Sequence, residues 1–280
     1  MNGKREMIDY ICRVAGYALT GDTGEQCVFL LWGIGKNGKS TFLNVLQTVL
    51  NDYSLQTGFS TFTIKRNEGI RNDIARMTKA RLVVAIETGD GKRLDEPVVK
   101  QLTGGDRVTA RFLHKEYFEF TPEFKIFLAT NYKPTIYGQD LAIWRRIRLI
   151  PFTVKIPDSQ RINNYENVLL EEKEGILNWM INGCQQWQKK GLQEPDEVKM
   201  ATKSYRSEMD ILEDFIQSRC VMESEKGITH KEIYAAYVKW CDENGEIALK
   251  TTTFGKRLQG RGFVFTRPKN VKTWKGIGLD

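Results

Sequence analysis

The residues of this chain best suited to chemistry form a short glycine-rich segment, residues 33–41. Its sequence, GIGKNGKST, fits the phosphate-binding pattern G-x-x-x-x-G-K-[ST]. In that pattern the lysine reaches the β- and γ-phosphates of a nucleoside triphosphate and the hydroxyl ligates Mg²⁺. The alternative is a glycine-rich turn that fits the pattern by accident. The predicted nucleotide-binding residues are Gly33, Gly35, Lys36, Asn37, Gly38, Lys39, Ser40 and Thr41.

The segments on either side of these residues favour a nucleotide site. Residues 27–32 form an apolar run typical of a buried strand, and apolar residues recur at helical spacing from Phe42 to Leu50. A strand, a glycine loop and a helix N-terminus together direct backbone N–H groups at an anion. The pattern therefore lies where a phosphate-binding loop requires it.

Polar residues also end two other predicted strands. The apolar residues 82–86 end at Glu87, and residues 124–130 end at Asn131. A carboxylate at a strand end is suited to hold a metal or activate the attacking water in phosphoryl transfer. The alternative for Glu87 is a buried strand that happens to end in an acid. Repeated strands with helices and loops between them, including a further segment at 144–152, predict an α/β fold with ligands at the strand C-termini.

Residues 107–120 alternate between apolar and polar side chains, which predicts a β-hairpin. Its turn is the segment Leu113–Glu116, which contains His114 and Lys115. Most hairpins are scaffold, so the pattern alone assigns this one no function.

The charge of the chain is concentrated near its end. The 280 residues carry a net charge of +7, and residues 244–280 contain eight Lys or Arg against two acids. Three predicted helices and a hairpin between residues 204 and 280 indicate a winged-helix module. The third helix, residues 251–259, corresponds to the helix that lies in the major groove of DNA in helix-turn-helix proteins. The predicted DNA contacts here are Lys250, Lys256, Arg257 and Arg261; the alternative is a solvated basic tail.

Composition argues against several other classes of protein. The five cysteines form no C-x-x-C pair and there are two histidines, which makes a zinc site improbable and favours reduced thiols. No apolar run approaches the ~20 residues that span a bilayer, and the N-terminus lacks the apolar stretch of an export signal. We therefore expect a cytoplasmic protein with no membrane partner.

The order of these segments resembles the helicase module of phage and plasmid primase–helicases, in helicase superfamily 3, with poxvirus primase-helicases as distant relatives. The resemblance covers nearly the whole chain, from about Tyr10. It is carried by residues 33–41, by LDEPVVKQLTGGDRVTAR at 94–111, by LATN at 128–131 and by WRRIRLIPF at 144–152.

The resemblance implies an α/β, P-loop NTPase core of the AAA+-like type, followed by a helical and winged-helix domain. The implied domains are a remnant of a helical collar (1–24), the ATPase core (25–160), a helical connector (161–203) and the winged helix (204–280). It further implies ATP and Mg²⁺ as cofactors, a homo-hexameric ring around single-stranded DNA, duplex DNA at the winged helix, and a primase or replication initiator as partner. The expected location is the cytoplasm of a bacterial host cell. No region of the chain is predicted to synthesise primers.

The resemblance also implies roles for individual residues. Lys39 matches the phosphate-loop lysine and Ser40 the metal ligand. Glu87 matches the acidic second motif, and Asn131 the residue that orients water or senses the γ-phosphate. Arg145 and Arg146 match the position of an arginine finger. His114 and Lys115 match the hairpin tip that tracks DNA. Thr88 stands where many P-loop ATPases have a second acid. The sequence therefore does not decide which acid ligates the metal and which activates the water, and Asp90 or Asp95 could assist Glu87.

The favoured function is an ATP-dependent 3′-to-5′ DNA helicase from the replication machinery of a mobile element. The alternative is a DNA-binding ATP switch that loads or remodels another replication protein without unwinding. A small-molecule P-loop kinase has no support, because no acceptor site is visible and the basic C-terminal region would have no role.

Overall fold

The computed structural model describes residues 3–65, 71–87, 89 and 92–280, with only the backbone of residue 269. It divides the chain into two compact units, Met1–Arg206 and Ser207–Asp280. The predicted start of the last domain, at residue 204, lies close to this boundary. The segments predicted as collar remnant, ATPase core and helical connector all lie in the first unit.

The first unit alternates strands and helices. In chain order its elements are α1 (Arg5–Tyr17), β1 (Val28–Trp32), α2 (Lys39–Leu50), β2 (Ser54–Gly58), α3 (Asn72–Ala75), β3 (Leu82–Ile86), α4 (Glu96–Thr103), β4 (Val108–Ala110), β5 (Phe118–Phe120), β6 (Lys125–Thr130), α5 (Leu141–Trp144), β7 (Ile147–Pro151), α6 (Tyr165–Leu170), α7 (Lys173–Lys190) and α8 (Asp196–Glu208).

A five-stranded parallel sheet forms the centre of this unit, in the order β2-β3-β6-β1-β7. The predicted α/β class is confirmed by this central parallel sheet. The three inner strands β1, β3 and β6 are almost wholly buried, as expected of parallel strands covered on both faces. Because β6 lies between β1 and β3, Asn131, which follows β6, lies between the loop after β1 and Glu87, which follows β3.

One face of the sheet is covered by α1, α2 and α7. Phe29 and Leu31 of β1 belong to the same buried cluster as Leu43 and Leu46 of α2. The apolar spacing of residues 1–20 predicts one short helix, which is confirmed as α1. Its apolar face packs against α7. A Cβ at Gly183 of α7 would lie 1.9 Å from the Cys12 carbonyl oxygen of α1. The two backbones therefore meet at a point where only glycine fits.

The structure differs from the sequence prediction at two places in this unit. Residues 51–72 gave no clear pattern, yet Ser54–Gly58 pairs with β3 as an edge strand. Its side chains are half-buried or exposed, so the run is too polar to resemble a core strand. Apolar residues at helical spacing predict a helix over residues 165–190. The structure has two helices there, α6 and α7, separated at Glu171 and Glu172.

The hairpin predicted at 107–120 is confirmed. β4 and β5 pair antiparallel, with Val108 opposite Phe120 and Ala110 opposite Phe118. The strands are short, so residues 111–117 form the connection between them. Phe112 stacks on Phe118 with ring centroids 5.6 Å apart, which continues the aromatic face beyond the paired residues.

The second unit has a helical core and an antiparallel sheet. Its elements are α9 (Ile211–Arg219), β8 (Cys220–Val221), β9 (Gly227–Thr229), α10 (His230–Glu243), α11 (Thr251–Gly260), β10 (Val264–Thr266), β11 (Thr273–Lys275) and β12 (Gly278–Leu279). The predicted third helix is present as α11. Phe215, Tyr237, Phe254 and Trp274 are buried together and join the three helices to the sheet.

The predicted terminal hairpin forms from β10 and β11, but its second strand, predicted over residues 273–279, is shorter. It ends at Lys275, because Gly276 adopts a positive φ of 84° that breaks the extended chain. Gly278 and Leu279 pair instead with β8. The sequence analysis did not identify β9, which pairs with β11 and completes a three-stranded sheet in the order β10-β11-β9.

Candidate functional site

The glycine-rich segment connects β1 to α2 and is shaped by three positive φ angles. These are 48° at Gly35, 53° at Lys36 and 82° at Gly38, the residue that precedes α2. Gly33 is required for a different reason, since a Cβ there would lie 2.2 Å from the Phe152 carbonyl oxygen. Gly38, which precedes α2, has no side chain to cap the helix. The Lys39 N–H donates to Asn37 Oδ1 at 3.5 Å. The N-terminus of α2 thus lies at this loop, and the first N–H groups of a helix favour an anion.

Lys39 is the buried cation of this site. Its Nζ donates to the Gly33 carbonyl oxygen, to Asn37 Oδ1 at 3.1 Å and to Asn131 Oδ1 at 3.2 Å. Burial lowers the pKa of Lys39 from its ordinary value. The amine is thus held against three neutral oxygens, and a phosphate would compensate its charge far better than they do.

Glu87 follows β3 and lies beside β6. Its N–H donates to the Ala129 carbonyl oxygen at 2.9 Å, which extends the sheet pairing by one residue. The Thr130 hydroxyl lies against both Glu87 Oε2 and the Tyr132 carbonyl oxygen. Its one proton is best donated to the carboxylate, which is the charged acceptor, and Thr130 is itself buried. The sequence analysis missed Thr130. The only sequence signal for it was a hydroxyl residue directly before Asn131.

These side chains surround one cavity of about 300 Å³. It brings together the phosphate loop and the ends of β3 and β6. Its lining residues are Gly35, Lys36, Asn37, Gly38, Lys39, Ser40, Thr41, Ile86, Glu87, Ala129, Thr130 and Asn131. Lys39, Ser40, Glu87 and Asn131 were predicted from segments far apart in the chain, and the fold places all four here.

The donor set of this cavity fits Mg²⁺. The Ser40 hydroxyl and the Glu87 carboxylate both line it and both are hard oxygen ligands, which Mg²⁺ prefers. Asp95, considered as a helper of Glu87, instead caps α4 by accepting from the Val98 N–H at 3.2 Å. Thr88 and Asp90 lie outside the described residues.

Arg145 and Arg146 follow α5, and neither lines the cavity. Arg145 is exposed, and its Nη2 donates to Gln26 Oε1 at 3.0 Å. Arg146 is buried; its Nε donates to Thr103 Oγ1 at 3.1 Å and its Nη1 to the Ala142 carbonyl oxygen at 2.6 Å. Of the two, Arg145 alone has its guanidinium at the surface.

His114 and Lys115 occupy the turn of the β4–β5 hairpin, as predicted, and both are exposed. His114 adopts a positive φ of 58°, and the Lys115 N–H donates to the Phe112 carbonyl oxygen at 3.0 Å. The connection also exposes Leu113 and Tyr117, and the Arg111 guanidinium lies 4.6 Å from the centre of the Tyr117 ring. The charges of this turn were predicted from the sequence, whereas its apolar and aromatic surface was not.

The four predicted DNA contacts of the second unit lie on or next to α11, in different surroundings. Lys250 precedes α11 and is exposed, as is Lys256. Arg257 is half-buried. Arg261 is paired with two carboxylates: its Nη2 contacts Asp210 Oδ2, and its Nε lies 3.3 Å from Glu213 Oε2. Because these acids neutralise it, Arg261 serves first to tie the end of α11 to α9.

Comparison with known protein families matches two separate segments. Residues 31–146, which include the cavity, match a family of unknown function (DUF5906). Residues 207–272, which make up most of the second unit, match the family described as Poxvirus D5 protein-like.

Three relatives of this chain are viral proteins. The chain is 29% identical over 261 residues to a putative helicase of Acanthamoeba polyphaga mimivirus, covering 86% of this chain and 27% of that protein. It is 24% identical over 290 residues to a putative helicase of Frog virus 3, covering 96% of this chain and 30% of the relative. It is 30% identical over 144 residues to the primase D5 of Fowlpox virus, covering 50% of this chain and 18% of the relative. The chain thus spans less than a third of each of these relatives.

A solved structure supports the fold. The apo structure of the NrS-1 C-terminal region aligns with a TM-score of 0.53 at 10% identity, over 95% of this chain and 70% of that one. At this identity the likeness concerns the fold alone. Among the residues described, no helix is long and apolar enough to cross a membrane.

These findings agree with part of what the sequence resemblance implied. The viral relatives support a helicase or primase type of module, and they come from viruses of eukaryotes, so they give no support to a bacterial host. In sequence the chain is similar, across both of its units, to viral proteins named as helicases or as a primase.

Proposed function

We propose that this chain is the NTP-hydrolysing module of a DNA helicase that acts in replication. The observation that carries the proposal is the cavity in which Lys39, Glu87, Thr130 and Asn131 meet at the ends of neighbouring parallel strands. This is the arrangement that phosphoryl transfer to water requires: a cation and N–H groups for the phosphates, and a carboxylate for the water. The viral relatives supply the link from hydrolysis to DNA.

Each residue has a defined task in this mechanism. The N–H groups at the start of α2 and the Lys39 ammonium bind the β- and γ-phosphates of the nucleotide. Glu87 accepts a proton from the attacking water, and Asn131 orients that water or contacts the γ-phosphate. The Ser40 hydroxyl would hold Mg²⁺, which when bound would supply positive charge to the phosphates. The Thr130 hydroxyl holds the Glu87 carboxylate at the end of its strand.

The finer features of the proposal come from the resemblance to superfamily 3. They are an AAA+-like core, a hexameric ring, 3′-to-5′ movement on single-stranded DNA, and a winged helix in the second unit. The three helices of that unit and its antiparallel sheet are compatible with a winged helix. Arg145, exposed beside α5, is the better candidate for a finger that reaches a neighbouring subunit. The exposed Lys115 is the candidate for tracking DNA.

Hydrolysis of ATP by the purified chain, with and without single-stranded DNA, tests the core of the proposal. Lys39→Ala should remove nucleotide binding and turnover. Glu87→Gln should retain binding but lower turnover by about 10²- to 10⁴-fold, because it removes the base. Lys190→Ala, at an exposed position of α7, is the control and should hydrolyse at the parental rate. Parental turnover by Glu87→Gln would contradict the assignment.

Strand separation tests whether hydrolysis drives movement. Lys115→Ala should retain basal hydrolysis and lose both unwinding and the stimulation of hydrolysis by DNA. Unwinding at the parental rate by this variant would show that the hairpin does not track DNA. The interpretation as an ATP switch would then be favoured.

A further inference from the structure

A groove of about 450 Å³ in the second unit has a composition that the assignments above do not explain. It lies between α11 and the β10–β11 hairpin. Three cationic side chains, Lys256, Arg267 and Lys272, line it together with the aromatic rings of Phe265 and Trp274. Its size falls in the range of about 300–1,000 Å³ that is usual for small-ligand sites.

The floor of the groove is rigid and aromatic. Trp274 is 2% exposed, and its indole Nε1 donates to His230 Nδ1 at 3.0 Å. Since Nδ1 accepts, the neutral imidazole carries its proton on Nε2 and donates it to Thr251 Oγ1, 2.8 Å away. Burial and the charge of Lys272 lower the pKa of His230, which favours this neutral form. The Phe265 ring lies 5.0 Å from that of Trp274 and remains half-exposed.

Gly255 of α11 keeps space open above this floor. A Cβ at this position would lie 3.3 Å from His230 Cε1 and 3.6 Å from Trp274 Cζ2. The position is helical and needs no unusual backbone angle, so the absence of a side chain matters here for space. A larger residue would fill the bottom of the groove without changing its charge.

The rim of the groove is cationic and uncompensated. No residue that lines it is acidic. Among the described residues, no carboxylate lies within ion-pairing distance of Lys256, Arg267 or Lys272, whereas Arg261 on the same helix is paired with two. The Arg267 guanidinium lies 5.7 Å from the centre of the Phe265 ring. Charge and aromatic surface are therefore available to the same ligand.

We propose that this groove binds one nucleotide of single-stranded nucleic acid. The base stacks on Phe265, and the flanking phosphates contact Lys256, Arg267 and Lys272. Aromatic platforms within a cationic groove are the usual means of holding single strands without sequence preference. A base paired inside a duplex cannot enter a groove between a helix and a hairpin, so this site requires an unpaired base. The proposal deepens the proposed function but does not depend on hydrolysis.

Fluorescence anisotropy with a labelled oligonucleotide, the full chain and no ATP tests this proposal. Phe265→Leu, which stays apolar, and Gly255→Ala, which keeps every charge, should each weaken binding of a single strand about tenfold. Val264→Ala on the same strand, whose side chain does not line the groove, should leave affinity unchanged. Lys256→Ala, Arg267→Ala and Lys272→Ala should each reduce the slope of log K against log salt by about 0.7. Lys275→Ala, outside the groove, should not.

An oligonucleotide with a single abasic site separates stacking from charge. A second oligonucleotide carries one 5-iododeoxyuridine at the position that is abasic in the first. Its cross-link to the protein should map to β10, which contains Phe265. The parental chain should bind the abasic strand more weakly than the intact strand, and in Phe265→Leu this difference should disappear. Equal affinity of the parental chain for both strands, or tighter binding of duplex with no effect of Phe265→Leu or Gly255→Ala, would overturn the proposal. Competition by inorganic phosphate as effective as by a mononucleotide would also overturn it, because the base would then contribute nothing.

If Glu87→Gln loses hydrolysis and still binds single strands through the groove, both the proposed function and the groove proposal are supported. If the parental chain hydrolyses ATP but the groove variants bind single strands as well as it does, only the groove proposal is overturned. Groove-dependent binding by a parental chain that hydrolyses no nucleotide would contradict the proposed function alone.

Discussion

At the scale of single residues, the cavity depends on side chains that position others. Glu87 is held by the Thr130 hydroxyl, and Lys39 is held by Asn37 and Asn131. The contacts made by Thr130 and Asn131 join residues that are 43 and 92 positions apart in the chain. A group that only positions the base should affect turnover without affecting how the nucleotide binds.

Thr130→Val therefore provides a test of positioning. The change keeps the shape of the side chain but removes the hydroxyl, so the Glu87 carboxylate loses the hydrogen bond from Thr130. We expect kcat for ATP to fall by about 10- to 100-fold, as for other groups that orient catalytic ligands, with little change in KM. Steady-state hydrolysis measures both constants.

Two further variants make this result specific. Thr130→Ser retains the hydroxyl and should keep most of the activity. Thr61→Val removes the hydroxyl of another buried threonine, which contacts Thr57 and does not line the cavity, and kcat should not change. If Thr130→Val raised KM and left kcat unchanged, the positioning role would be contradicted.

At the scale of elements, the crossing of α1 and α7 decides how the sheet is covered. At Gly16 a Cβ would lie 2.0 Å from the Cys184 N atom, and at Gly183 it would lie 1.9 Å from the Cys12 carbonyl oxygen. Arg13, on the same helix α1, donates to the carbonyl oxygens of Leu192 and Gln193 at 2.8 and 3.2 Å. Both α7 and the segment that follows it are therefore fastened to α1.

Gly183→Ala should destabilise the first unit, because the added methyl group can be accommodated only if two helix backbones separate. We expect a loss of about 1–3 kcal/mol in the free energy of unfolding, the usual effect of overpacking. Gly175→Ala in the same helix is the matched control, since a Cβ there meets nothing within 4 Å. It should stabilise the protein by about 0.5–1 kcal/mol through helix propensity. Urea unfolding measures both, and equal effects of the two substitutions would show that the crossing is not tight.

At the scale of the whole molecule, the proposed ring predicts that subunits share their active sites. Arg145 is exposed and away from the cavity of its own chain, as a finger for a neighbouring subunit would be. Arg146 is unsuited to this role, because its guanidinium is buried against Thr103 and Ala142.

Mixing inactive variants tests the sharing of sites. Lys39→Ala retains the finger and Arg145→Ala retains the nucleotide site, so a mixture should hydrolyse ATP faster than the sum of the two variants alone. A mixture of Lys39→Ala with Glu87→Gln is the control, since both defects lie in the same cavity and no rescue is expected. Absence of rescue at every ratio of Lys39→Ala to Arg145→Ala would count against a finger that acts between subunits.

Much of the candidate site follows from local patterns in the sequence. The phosphate loop could be predicted because its glycines and lysine lie within eight residues, and Glu87 and Asn131 because each ends an apolar strand. A parallel sheet brings strand ends to one edge whatever the order of its strands. The central sheet, the hairpin and the terminal helices were accessible for the same reason, since hydrophobic periodicity is a local signal.

Other features depend on contacts between distant parts of the chain. Sequence analysis treated Arg145 and Arg146 as equivalent and Arg261 as a DNA contact, because charge type does not reveal whether a carboxylate or a carbonyl oxygen lies nearby. It missed β2 because an edge strand needs no apolar run, and β9 because three residues show no period. Thr130, Gly183 and the groove beside Gly255 acquire their meaning only when a second segment packs against them. The sequence by itself determined which residues can do chemistry, and the tertiary structure decided which of them are brought together and which are already engaged.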